Sequence, residues 1–159
     1  MTERIYNLED RLLEYAARVI AVVEHLGNSR AAAHVGDQLL RSGTSPYFNH
    51  GEAEAAESPR DFIHKLRICL KELRESKRAL RLIQRVQLST KTGDIQSALV
   101  ETEELIRIFA ASIQTVQKKL VREEGATPYG ESGNEVGSTF GVGRSMFDVS
   151  ELGVGGAVP

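Results

Sequence analysis

The spacing of the large apolar residues restricts this chain more than any other feature, because they advance by alternating steps of four and three. One stretch reads Leu8, Leu12, Tyr15, Val19, Val22, Leu26, and another reads Ile95, Leu99, Thr102, Ile106, Phe109, Ile113, Val116, Leu120. A third, Phe62, Leu66, Cys69, Leu73, Leu80, Ile83, keeps the same rhythm with Ser76 in its one missing step. A mean step of three and a half keeps side chains on one stripe of an α-helix and would scatter them over both faces of a strand. Each stripe is too apolar to face water, so the helices must bury them against one another. The expected fold is all-α, an antiparallel up-and-down four-helix bundle.

Local chemistry sets the helix boundaries. Asn7 is a good N-cap, and Gly27-Asn28 is the composition of a left-handed stop, which predicts helix 1 over about 8–26. Ser29 opens helix 2 over about 30–57, where Gly43 to Pro46 predicts a break or kink and Ser45-Pro46 reads equally as a fresh helix start. Ser58-Pro59-Arg60-Asp61 joins a hydroxyl cap, a first-turn proline and an acid at the positive end of the helix dipole, which predicts helix 3 over about 59–87. The last helix follows the turn around Lys91, with Asp94 as the expected cap, and Gly125 ends it.

Beyond Gly125 the periodicity stops, and nine of the fourteen glycines in this 159-residue chain fall in 125–159. Such a composition cannot bury enough surface to offset its ordering entropy. Residues 1–124 are therefore expected to fold alone, with 125–159 as a disordered Gly-rich tail whose patch at Met146-Phe147 offers at most a short docking peptide. The N-terminus lacks an apolar targeting core, no run approaches membrane-spanning length, and Cys69 is the single cysteine, so a reducing cytoplasmic setting and no membrane are expected.

The net charge of −2 conceals segregation: Arg60 to Arg85 holds nine basic residues against Asp61, Glu72 and Glu75, a local +6. Within it Arg67, Lys71, Arg74, Arg78, Arg81 and Arg85 repeat at steps of four and three, offset from the apolar seam toward solvent. Five of the six are arginine, whose planar fork suits phosphate oxygens. This row reads either as a solvated outer face or as a nucleic-acid-binding surface. A second group, Gln38, Arg41, Asn49, Glu52, Glu57, Asp61 and Lys65, crowds the end of helix 2 and the start of helix 3. It reads either as a structural polar network, with Asp61 and Lys65 paired four residues apart, or as a subunit contact that fixes register.

Catalytic chemistry is poorly represented. Asp61-x-x-His64 is one half of a carboxylate-bridged di-iron unit, but no other histidine has a carboxylate three residues before it, so no metal site is expected. Neither a Gly-x-Ser-x-Gly elbow nor a glycine-rich phosphate loop occurs, and neither an enzyme nor a cofactor is expected.

The run from Gln38 to Ser76, QLLRSGTSP followed by GEAEAAES, DFIHKL and LKELRES, resembles the bacterial four-helix bundle proteins encoded in intervening sequences of 23S ribosomal RNA genes. The residues that carry the resemblance are Gln38, Arg41, Ser45, Asn49, Glu52, Ala53, Ser58, Asp61, Phe62, Lys65, Lys71 and Glu72, while His50 stands where relatives often carry an aromatic ring. The resemblance implies a four-helix bundle, commonly a homopentamer, without established enzymatic activity. A related branch, the accessory proteins of diversity-generating retroelements, implies RNA or DNA and a reverse transcriptase or RNA-processing protein as partners.

Overall fold

A computed structural model describes residues 7–125. The expected tail and its Met146-Phe147 patch lie outside the described residues. Four helices follow one another: α1 Leu8–Glu24, α2 Arg30–Glu54, α3 Pro59–Val86 and α4 Thr92–Glu124. Consecutive helices pack together and α1 closes the ring on α4, giving an antiparallel up-and-down bundle. The turn after α1 meets the turn after α3 at one end. There the Gly27 N–H donates to the Leu88 carbonyl at 2.9 Å, and the Ser89 hydroxyl donates to the His25 carbonyl at 3.0 Å.

The N-terminal caps follow the sequence with one exception, whereas the left-handed stop expected at Gly27-Asn28 does not form: α1 ends at Glu24, and its C-cap His25 has φ −101°. Asn7, Ser29 and Ser58 each accept a backbone N–H of the first turn, from Glu9, Ala32 and Asp61. Helix α4 instead starts at Thr92 with no side-chain cap, and Asp94 sits inside the first turn, where its charge faces the helix dipole without capping it. Helix α3 ends in a Schellman motif: Gln87 adopts φ 56°, ψ 46°, and the Leu88 N–H reaches the Ile83 carbonyl at 3.1 Å. A residue with a Cβ is strained in that conformation. Gln87→Gly is expected to stabilise the fold by about 1 kcal/mol, read as a higher midpoint in urea.

The expected break of α2 is absent. The helix runs through Gly43 and Pro46, both buried, and closes at Glu54 rather than residue 57. An interior proline costs about 3 kcal/mol, so the surroundings must hold the helix together. Gly43 closely approaches α1, where a Cβ would lie 2.6 Å from one methyl of Val19 and 2.8 Å from the other. On the other flank, the buried Cys69 thiol lies 3.6 Å from the Pro46 carbonyl. Burial pushes that thiol up to about 12, which leaves it protonated and unreactive. The glycine and proline that read as helix breakers therefore lie in the packing contacts with α1 and α3.

The core contains the expected seams with local exchanges. Ile63 is buried where Phe62 is half-buried, and Leu105 is fully buried where Ile106 only packs against the cluster. One hydroxyl from every helix meets in the interior: Tyr15, Ser42, Ser76 and Thr102 are each at most 1% exposed. The Tyr15 phenol lies 2.9 Å from Thr102 Oγ1, and Ser76 Oγ lies 2.9 Å from Ser42 Oγ. Thr102 and Ser42 in turn donate to the Ala98 and Gln38 carbonyls. Burial raises the Tyr15 pKa, opposed by its hydrogen bonds to Thr102 and Ser76. Sliding α1 along α3 or α4 would strand the buried Tyr15 phenol at about 1–3 kcal/mol, so this layer fixes the register of α1 against both.

Candidate nucleic-acid interface

All six residues of the basic row, Arg67, Lys71, Arg74, Arg78, Arg81 and Arg85, are exposed on the outer face of α3. At 1.5 Å per residue the row is about 27 Å long, with a cation every 5 Å or so. Local neutralisation is slight. Lys71 approaches its own neighbour Glu72 at 3.7 Å, while Arg67, Arg74, Arg78 and Arg85 pair with no carboxylate among the described residues. Arg81 helps to hold the Glu103 carboxyl below its usual range, though the main cause is Lys77 at 2.8 Å. Exposed positions at this spacing hold six positive charges outward on a rigid rod, and the surrounding core fixes their direction.

Toward its C-terminal end the row borders two open grooves. One is lined by Arg78, Arg81, Leu82 and Arg85, and the other, between α3 and α4, by Lys77, Arg81, Gln84, Gln96 and Glu103. Gln84 donates its amide to Gln96 Oε1 at 3.1 Å across the two helices. Neither glutamine stood out in the sequence, because their proximity depends on how the turn between α3 and α4 folds back.

The second polar group is divided. Arg41 bonds Gln38 Oε1 at 2.6 Å and reaches Glu75, midway along α3, at 3.8 Å. Lys65 pairs with Glu52 rather than with Asp61, and both carboxylates raise its pKa, the Glu52 hydrogen bond being the largest cause. Asp61 uses its backbone N–H for the Ser58 cap. Asn49 turns inward on α2, donating to the Ser45 carbonyl at 3.0 Å and to its hydroxyl at 2.9 Å. Glu57 is exposed in the turn before α3. These residues thus form two α2–α3 ties and two local backbone bonds. On the opposite seam, Arg11 clamps Glu101 through both carboxylate oxygens and joins α1 to α4.

His50, three residues past Tyr47 on α2, is 8% exposed and sets its ring edge-on to Phe109 with centroids 6.3 Å apart. Its Nδ1 is buried with no hydrogen-bond partner among the described residues. Burial lowers its pKa, against the opposing fields of Glu54 and Glu9. The unfolded chain therefore takes up the proton first. This group's contribution to stability is complete above about pH 6.5 and declines as pH falls below that value. His50→Phe, which keeps the ring and removes the stranded nitrogen, is expected to raise stability at pH 5 by about 1–2 kcal/mol and less at pH 8, measured by urea unfolding at both.

Among the described residues no group of three or more His, Cys, Asp or Glu side chains could hold a metal ion, and no helix is long and apolar enough to cross a membrane. Among solved structures, the chain is similar to a protein of unknown function from the S23 ribosomal protein family of Bacteroides thetaiotaomicron. The two share 34% identity with a TM-score of 0.62, over 67% of this chain and 98% of that one. No curated protein matches the sequence. The family model for the 23S rRNA-intervening sequence protein matches residues 7–111, which takes in α1, α2, α3 and most of α4. With the helix order, the caps and the central Gln38 to Ser76 run all inside the matched span, the chain belongs to the 23S rRNA-intervening sequence protein family.

Proposed function

We propose that this protein is a non-enzymatic, oligomeric four-helix bundle that binds nucleic acid through the outer face of α3. The observation that carries the reading is the row of six exposed cations with, among the described residues, a single weak ion pair of its own. A solvated structural face would be expected to interleave acids at the same spacing, as Glu104 and Arg107 do on α4. Phosphate neutralisation by such a row makes affinity steeply dependent on salt. Six contacts predict a loss of about 10³-fold between 50 and 200 mM salt, read by fluorescence anisotropy on mixed-sequence RNA or duplex DNA. Absence of measurable binding at about 50 mM salt would sink the reading.

A second reading, a protein-interaction scaffold without nucleic acid, draws on α2. Phe48 is 65% exposed and Leu40 38%, and nothing approaches a Cβ built at Gly51 on the same helix. In the oligomer this apolar strip serves as a subunit contact, with a homopentamer as the assembly the family resemblance implies. Sedimentation is expected to give a mass several times the 17.5 kDa of the chain. A monomer at micromolar concentration would remove the assembly and leave the strip to another protein.

A further inference from the structure

We infer that the α3 face is built for the backbone of A-form double-stranded RNA; this rests on the nucleic-acid reading above and narrows it. Single strands are held by stacking bases on rings, worth about 1–3 kcal/mol per base. The two rings of α3, Phe62 and His64, both precede Arg67, and no ring lies among the six cations. The row offers charge without a stacking platform. Charge alone favours the ligand with the denser phosphates, and a duplex carries about one per 1.7 Å of axis, twice the density of one strand.

Between duplexes, shape decides. Reading B-form DNA calls for an element seated in a major groove about 12 Å wide and 8.5 Å deep. Helix α3 is packed along its length on α2 and α4, so only its outer strip is free to approach a ligand. The straight row of about 27 Å also departs from a groove that winds around the duplex in about 34 Å. A-form RNA instead offers a wide, shallow minor groove edged by phosphates and lined by 2′-hydroxyls, accessible to a surface that does not penetrate. Beside the cations, the Gln84–Gln96 amide pair supplies the neutral donor and acceptor that a 2′-hydroxyl requires. Glu103, the acid in that groove, is already paired with Lys77.

The test uses the full chain and three labelled probes: an RNA duplex of about 20 base pairs, longer than the roughly 16 spanned by double-stranded RNA modules, a DNA duplex of the same sequence, and an unstructured RNA strand of equal length. The RNA duplex is expected to bind at least tenfold more tightly than either alternative at the same salt concentration. Gln96→Leu is expected to shrink the preference for RNA over DNA duplex while leaving DNA affinity unchanged. A single strand or a DNA duplex that binds as tightly as the RNA duplex overturns this inference and leaves the nucleic-acid reading standing. Failure of all three probes to bind overturns both.

Discussion

A variant carrying Arg67→Gln, Arg74→Gln, Arg78→Gln and Arg81→Gln is expected to bind mixed-sequence RNA or duplex DNA about 10³-fold more weakly than the parent at 100 mM salt. Each phosphate contact on a duplex contributes about 0.9 to the slope of log affinity against log salt, so removing four of six should flatten that slope by about 3.6. All four positions are exposed, and glutamine is nearly as good a helix former as arginine. Circular dichroism and sedimentation should therefore be unchanged. Unchanged affinity would return the row to a solvated face. Loss of the oligomer would make the same face a subunit contact, since nothing else about these side chains holds the bundle together.

Gly43→Ala is expected to destabilise the bundle by up to about 2 kcal/mol, lowering the thermal midpoint by up to roughly 10 °C. The added methyl would lie 2.6 Å and 2.8 Å from the two γ-carbons of Val19 and 3.1 Å from its β-carbon. Val19 is fully buried, and a helical valine has one strongly preferred rotamer, so it cannot turn aside. Alanine's better helix propensity returns about 1 kcal/mol, which overpacking of about 1–3 kcal/mol exceeds. If the clash is the cause, Val19→Ala should partly suppress it, the double variant being less unstable than the sum of the singles by about 1 kcal/mol or more. A stabilised Gly43→Ala protein would mean that α1 and α2 lie farther apart than described.

Much of the candidate interface was legible in the sequence because it depends on one helix alone. The six cations of α3 share a face by periodicity, and their offset from the buried seam Leu66, Cys69, Leu73, Leu80, Ile83 made that face the outer one. The pairings around them were not legible. Lys65 could choose between Asp61 four residues on its own helix and Glu52 on α2, and Arg41 reached past the near carboxylates to Glu75. Such choices turn on the distance between helices, which the spacing within a helix does not contain.

The sequence by itself determined the four helices, three of their caps, the apolar seams and the outward row of charge, because each follows from interactions within about four residues. Only the tertiary structure decided that α2 passes unbroken through Pro46, that Gly43 is a contact with Val19, and that Ile63 and Leu105 replace Phe62 and Ile106 in the core. It also decided that Tyr15, Ser42, Ser76 and Thr102 meet in one layer, turning an apparent gap in the third seam into part of the layer that sets the register of α1. The physical reason is common to all of them. Propensity weighs each residue against water and its own helix, whereas burial weighs it against a neighbouring helix, where a missing Cβ or a paired hydroxyl can outweigh a lost backbone bond.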